Sequence, residues 1–150
     1  MDVRTDLVAQ LFSTVGRFRR TVRRAAGGSF VTSGLTESQA ELLRLVGRQP
    51  GISVSAAAAE LGLAANTAST LVSKLSAGGL LVRTPDPADR RVGRLELTAP
   101  AQQLADETRA ARRAALSQVL DELDDDDAEA LATGMRVLAE ITAKLQEKRP

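Results

Sequence analysis

Four arginines lie close together between residues 80 and 98, and they are Arg83, Arg90, Arg91 and Arg94. A guanidinium group donates several hydrogen bonds in a fixed plane, which suits it to phosphate oxygens and to base edges. The apolar runs at residues 80–82 and 95–97 predict two β-strands on either side of these charges. Pro85 and Pro87 stiffen the turn between the strands. The segment predicts a basic β-hairpin, and the alternative is a solvated surface hairpin that contacts nothing.

The residues before this hairpin predict two short helices joined by a sharp turn. Ser53 or Ser55 caps the first helix, which is expected over residues 56–61, and Gly62 ends it. The second helix follows at once, over residues 64–77, and two glycines end it. A helix-turn-helix pair followed by a basic hairpin predicts a winged helix, a shape suited to lying on DNA.

The second helix of this pair has two faces of different chemistry. Its apolar face consists of Ala68, Leu71, Val72 and Leu75. Its polar face consists of Asn66, Thr67, Ser69, Thr70, Ser73 and Lys74. An ordinary solvated helix normally carries Asp or Glu, yet none occurs between Asn66 and Thr84. Small donors without acidic neighbours suit close approach to phosphates and to base edges in the major groove, which favours DNA over a plain surface helix.

The remaining helices are predicted from their start signals and apolar periodicity. The first spans about residues 3–24 and ends at residues 27–29, Gly-Gly-Ser. Thr36 and Gln39 predict a capping box for the next helix. That helix turns Ala40, Leu43 and Val46 inward. Thr98 caps a fifth helix, and the four aspartates at residues 124–127 open a sixth. A metal site at these aspartates is disfavoured, because adjacent carboxylates on a helix diverge.

Five arginines crowd the last two turns of the first helix, and they are Arg17, Arg19, Arg20, Arg23 and Arg24. They either complement the carbonyl end of the helix dipole or contact phosphates.

The charge of the chain is unevenly spread. Residues 1–34 hold six arginines and two aspartates, a net of +4, whereas residues 100–150 hold seven basic and eleven acidic groups, a net of −4. Since the whole chain carries only +1, any nucleic-acid surface must be a local patch.

Composition excludes several classes of function. The chain has no cysteine and no histidine, which removes disulfides, thiolate chemistry and imidazole catalysis or metal binding. With no nucleophile–base constellation either, we expect neither an enzyme nor a cofactor. No apolar run approaches membrane-spanning length, and residues 1–6 lack a signal-peptide layout. We therefore expect a cytoplasmic protein without a membrane partner.

The terminal helices carry more apolar surface than a small winged helix covers. One such stripe in the last helix contains Leu131, Met135, Leu138 and Leu145. Long apolar stripes without a core of their own predict a partner chain. Residues 1–34 and 99–150 are therefore expected to form a helical dimerisation region, and residues 35–98 the DNA-binding winged helix.

The order of these elements resembles the MarR family of bacterial transcription regulators from about residue 5 to residue 145. The motifs that carry the resemblance are Leu35-Thr36-x-x-Gln39, Leu61-Gly62-Leu63, Leu75-x-x-x-Gly79-Leu80-Leu81-Val82-Arg83, Asp86-Pro87-x-Asp89-Arg90-Arg91 and Leu95-x-Leu97-Thr98. The resemblance implies a mainly α fold with a small β-hairpin, a winged helix-turn-helix between dimerisation helices. It also implies that Asp89 steadies the wing, that Arg91 reaches the minor groove and that Arg90 contacts the DNA backbone.

The function that follows is a homodimeric transcription regulator, usually a repressor in this family, bound to a pseudo-palindromic operator on double-stranded DNA. The resemblance also implies release of the DNA by a small-molecule effector. The wing set of DNA-binding residues is Asp89, Arg90, Arg91 and Arg94. The alternative is a winged-helix module that binds a protein and lacks specific DNA binding, because the polar helix face carries only one basic residue, Lys74.

Overall fold

The computed structural model of the chain describes residues 2–26 and 33–148. The described residues form six helices and one antiparallel hairpin. In chain order these are α1 (Val3–Ala26), α2 (Glu37–Arg48), α3 (Val54–Leu61), α4 (Ala65–Ala77), β1 (Leu81–Pro85), β2 (Gly93–Leu97), α5 (Ala99–Leu120) and α6 (Asp125–Glu147). The predicted fold class is confirmed. The predicted end of the first helix, at residues 27–29, lies outside the described residues.

The chain divides into two units, Met1–Arg113 and Ala114–Pro150. The first unit contains α1 to α4, the hairpin and the greater part of α5. The second contains the end of α5 and all of α6, and α6 buries none of its residues. The division predicted from the sequence, with residues 35–98 as the DNA-binding part, is a functional one and stays a prediction.

Helix α2 lies at the centre of the hydrophobic core. Its predicted inward residues Ala40, Leu43 and Val46 are buried, but so are Leu42 and Leu45. The wider buried face follows from the position of α2, which packs against α3, α4 and β2 at once. The rest of the core comes from each neighbouring element: Ala57, Val72, Leu75, Leu81, Leu95 and Ala105.

Side-chain caps fix the starts of α2, α3 and α6. Thr36 Oγ1 accepts a hydrogen bond from the Gln39 amide (3.2 Å), and Gln39 Oε1 accepts one from the Thr36 amide (2.9 Å), so the predicted capping box is present. Ser53, one of the two predicted candidates, caps α3, which begins two residues earlier than predicted, at Val54. Asp124 caps α6 by accepting from the Asp127 amide at 2.8 Å.

Replacing Thr36 with alanine is expected to lower the free energy of unfolding by about 1 kcal/mol, because α2 loses its N-cap acceptor. The measurement is chemical denaturation followed by circular dichroism. Ser38→Ala is the matched control, since Ser38 is exposed inside the same first turn. Equal stability of Thr36→Ala and the control would contradict the role of the cap.

Candidate nucleic-acid interface

The turn between α3 and α4 sets the angle of the helix that carries the polar face. Gly62 adopts the left-handed conformation (φ 69°), where a side chain would be strained. The Leu63 amide donates to the Ala58 carbonyl at 2.9 Å, which satisfies the end of α3. Ala64 then precedes the first residue of α4. The predicted helix-turn-helix corner is confirmed.

Helix α4 turns its two faces in opposite directions. Ala68, Val72 and Leu75 are buried in the core, and Leu71 is half-buried. The polar set is exposed throughout, and it consists of Asn66, Thr67, Ser69, Thr70, Ser73 and Lys74. This face is therefore available to a partner over about two and a half helical turns.

Two of these polar side chains already have partners within α4. Asn66 Oδ1 accepts from the Thr67 amide (2.9 Å), and the Thr70 hydroxyl donates to the Asn66 carbonyl (2.9 Å). The side chains of Ser69, Ser73 and Lys74 form no hydrogen bond or ion pair with the part of the chain that the structure describes. Their donors are therefore open to an external acceptor.

The hairpin is anchored in the core by its inward residues. Its register pairs Leu81 with Leu97 at the base and Pro85 with Gly93 near the tip. Leu81 and Leu95 are buried. The Arg83 side chain crosses Gly93, where an added Cβ would collide with it. Glycine at this position therefore lets an arginine lie across the strand.

Thr98 ties the base of the hairpin to two helices. Its hydroxyl donates to the Gly79 carbonyl just beyond α4 (2.7 Å) and accepts from the Ala101 amide in the first turn of α5 (3.4 Å). Thr98, the predicted cap, thus also links the end of α4 to the base of the hairpin. The wing, defined as β1, β2 and the loop of residues 86–92, is fixed at its base.

Arg91 and Asp89 form the predicted pair in the wing loop. Arg91 Nε lies 3.1 Å from Asp89 Oδ1, which also accepts from the Arg91 amide at 3.1 Å. The Arg91 side chain is nevertheless 92% exposed. Arg90 is exposed as well and forms no ion pair among residues 33–148. Two guanidinium groups are therefore presented at the loop, one oriented by a carboxylate.

Arg94, which the sequence groups with the wing's DNA-binding residues, is directed into the wing itself. Its Nε donates to Asp86 Oδ2 at 2.7 Å, and its Nη1 lies 3.5 Å from the Gly51 carbonyl. Asp86 belongs to the wing motif quoted from the sequence, but no role was predicted for it. The signal was present, because an aspartate followed by proline commonly starts a turn by accepting from amides two or three residues on.

The ionisation of Asp86 reflects these contacts. The Arg94 hydrogen bond holds the pKa of the Asp86 carboxyl below its usual value, and the amides of Ala88 and Asp89 lower it further. The carboxylate therefore keeps its negative charge to a lower pH than an ordinary aspartate does.

The arginines of α1 meet the carboxylates of α2. Arg23 Nη1 lies 2.8 Å from Glu37 Oε2, and Arg19 forms an ion pair with Glu41. Arg44 of α2 also lies 2.8 Å from Glu37. Burial alone would raise the pKa of Glu37, but hydrogen bonds and charge from Arg23 and Arg44 outweigh it and leave the pKa below its usual value. These contacts give Arg19 and Arg23 an intramolecular role that neither sequence interpretation included.

Arg112 of α5 belongs to the same cluster. It is half-buried and has no carboxylate within ion-pair distance among the described residues. Burial lowers its pKa, and the charges of Arg44, Arg19 and Arg23 lower it further against the opposing effect of Glu37. The cluster therefore holds more guanidinium than carboxylate charge.

The described residues contain neither a candidate metal cluster nor a helix that could span a membrane. No group of three or more acidic side chains in residues 2–26 and 33–148 is placed to hold a metal ion. In the same residues, no helix combines the length and the apolar character that crossing a bilayer requires.

The fold and this interface define a winged helix-turn-helix protein with long helices before and after the wing. The family model for the MarR family matches residues 33–92. The resemblance found in the sequence is confirmed: residues 33–92 match the MarR family model, and the described elements follow the fold of solved MarR family regulators.

Solved structures of several bacterial proteins match nearly the whole chain. FabT of Streptococcus pneumoniae in complex with DNA has 18% identity and a TM-score of 0.76, covering 94% of this chain and 96% of its own. A MarR family transcriptional regulator from Rhodococcus sp. RHA1 has 27% identity and a TM-score of 0.66, covering 93% and 96%. CouR from Rhodococcus jostii RHA1, bound to p-coumaroyl-CoA, has 28% identity, a TM-score of 0.66 and the same coverage. A comparison with curated protein sequences gave no match.

Proposed function

We propose that the protein is a homodimeric, DNA-binding transcription regulator. The observation that carries this proposal is that one winged helix presents both an exposed helix face without acidic residues and two exposed guanidinium groups on the wing. FabT, whose fold this chain shares, was solved in complex with DNA. A regulator of bacterial genes works in the cytoplasm, where the DNA is.

In this proposal α4 enters the major groove and the wing lies against the adjacent minor groove. The α4 residues assigned to DNA are Asn66, Thr67, Ser69, Thr70, Ser73 and Lys74. On the wing, Arg91 is assigned to the minor groove, Arg90 to a phosphate, and Asp89 to orienting Arg91. Because the α4 side chains are mostly small, the wing contributes a large share of the affinity.

The dimer is proposed from the apolar surface that a single chain leaves uncovered. Helices α1 and α6 bury none of their residues. Their exposed large apolar side chains are Val3, Leu7, Val8, Leu11, Phe12, Val15, Phe18, Leu131, Met135, Val137, Ile141 and Leu145. Exposed apolar side chains in such number mark each of the two helices as an association surface, and a second copy of the chain is the simplest partner with matching surfaces. Two symmetric α4 helices then require a pseudo-palindromic operator with half-sites about one helical turn apart.

Repression, with release by a small ligand, is proposed as the mode of control. CouR, of similar fold, was solved with p-coumaroyl-CoA bound. In this chain, control by oxidation of a cysteine is excluded, since the sequence has none. The excess guanidinium charge around Arg112 favours an anionic ligand.

The proposal is tested by binding to duplex DNA across a series of salt concentrations. The duplex is one that the wild-type protein selects from a random pool. The logarithm of the binding constant is expected to fall with the logarithm of salt concentration, with a slope of about −0.9 for each phosphate neutralised. The absence of salt-sensitive duplex binding would overturn the proposal and favour a winged-helix module that binds a protein.

A further inference from the structure

The carboxylate of Asp86 organises the loop of the wing. Its Oδ1 accepts from the amides of Ala88 (2.8 Å) and Asp89 (3.2 Å), while its Oδ2 accepts from Arg94 Nε at 2.7 Å. The Asp86 amide donates to the Val92 carbonyl at 2.8 Å. One side chain therefore joins the start of the loop to the strand that leaves it. Only 16% of that side chain is exposed, so water competes poorly for these bonds.

Arg94 carries the connection from the wing to the helix-turn-helix. Its guanidinium reaches the Gly51 carbonyl, and its backbone forms a β-bridge with Ser53. The next residue, Leu95, donates to the Ile52 carbonyl at 2.9 Å. Ser53 is the N-cap of α3. A continuous set of contacts thus runs from the wing loop through Asp86 and Arg94 to the first helix of the helix-turn-helix pair.

The Asp89–Arg91 pair differs from the Asp86–Arg94 pair in reach. Asp89 and Arg91 are two residues apart, and their bonds stay within the loop. That pair orients one exposed side chain. Asp86 and Arg94 are eight residues apart, and Arg94 lies 43 residues from Gly51 in the sequence. Only the second pair fixes the loop relative to another element.

We propose that Asp86 and Arg94 are positioning residues. They fix the position of the wing relative to the helix-turn-helix pair, so that Arg90 and Arg91 contact DNA while α4 occupies the major groove. The inference rests on the proposed DNA-binding function. It reassigns Arg94, which acts through Asp86 and Gly51 and not on the DNA. DNA binding by two elements at once needs both in register, because a misplaced wing loses contacts that α4 cannot replace.

The sign of the effect of Asp86→Asn separates this role from the alternatives. Removing a negative charge beside DNA would by itself tighten binding. If Arg94 contacted DNA and Asp86 only neutralised it, the substitution would free Arg94 and again tighten binding. A positioning role predicts the opposite, since asparagine has one acceptor oxygen in place of two and loses the ion pair, so it cannot accept from Arg94 and from the loop amides with separate oxygens.

The experiment measures affinity for the selected duplex at one fixed salt concentration. Asp86→Asn is expected to weaken binding about fivefold or more, on the scale of a lost hydrogen bond between charged groups. Glu96→Gln is the matched control, because it removes the same charge from an exposed position on β2. Its affinity is expected to be unchanged or slightly tighter.

Arg94→Lys tests the same ion pair by changing its hydrogen-bond donor. Lysine keeps the charge but cannot reach Asp86 and Gly51 with one planar group, so binding is expected to weaken as it does in Asp86→Asn. The double variant is expected to be no weaker than either single variant, because both remove one interaction. Tighter binding by Asp86→Asn, or wild-type affinity of Arg94→Lys, would overturn the positioning role.

Trypsin cleavage after Arg90 and Arg91 in the free protein provides a readout without DNA. A released loop is cut faster than a held one, so Asp86→Asn is expected to raise the cleavage rate and Glu96→Gln to leave it unchanged. Equal rates would refute the claim that Asp86 holds the wing. Failure of the wild-type protein to bind any duplex would instead refute the proposed function, and proteolysis would still decide the structural claim.

Discussion

Replacing Arg91 with alanine is expected to weaken binding of the selected duplex tenfold or more, which corresponds to about 1–3 kcal/mol. The physical reason is that the Arg91 side chain is 92% exposed and yet restricted in conformation, because its Nε donates a hydrogen bond to Asp89. A guanidinium oriented before binding loses less conformational freedom on entering a narrow, electronegative minor groove. The measurement is fluorescence anisotropy or gel shift at fixed salt.

Arg136→Ala is the matched control for this prediction. Arg136 is also an exposed arginine (65%) held by a nearby carboxylate, with 2.7 Å to Glu140, but it lies on α6, outside the winged helix. The control removes the same charge and is expected to leave duplex affinity within about twofold, because salt at physiological concentration screens a single exposed charge that is distant from the DNA. Both variants should keep the oligomeric state of the wild type by light scattering. Wild-type affinity in Arg91→Ala would show that the wing does not contact the DNA in the proposed way.

Features that depend on a few neighbouring residues could be predicted from the sequence. The capping box of Thr36 and Gln39, the turn at Gly62 and the two faces of α4 all follow from local hydrogen-bonding or from the helical period. These signals are complete within one helix or one turn. These features could therefore be predicted without knowing which other elements the helix packs against.

The remaining features required knowledge of which distant residues meet. Burial of Leu42 and Leu45 results from the packing of α2 against several elements at once, whereas periodicity indicated only one face. The ion pairs of Arg23 with Glu37 and of Arg94 with Asp86 join residues that no local pattern links. A count of arginines in the wing could not separate Arg91, which points outward, from Arg94, which braces the loop.

The largest effect on assembly is expected from Phe12→Glu in α1. Phe12 is 80% exposed in the single chain, more than any other large apolar side chain of the described residues. Substitution there leaves the core of the chain intact. In a dimer that covers this face, the introduced carboxylate would be buried without a partner, which costs several kcal/mol. The dimer dissociation constant is expected to rise about 100-fold or more, which is roughly 2.7 kcal/mol.

Ser13→Glu provides the matched control, because it adds the same charge to the next residue of the same helix, about 100° further round the axis. Sedimentation at several protein concentrations would measure both variants, and circular dichroism would confirm that both remain helical. A monomeric Phe12→Glu variant should also lose duplex affinity, since two winged helices no longer bind as one unit. If Phe12→Glu stays dimeric while Ser13→Glu dissociates, the polar side of α1 faces the partner and the proposed interface is wrong.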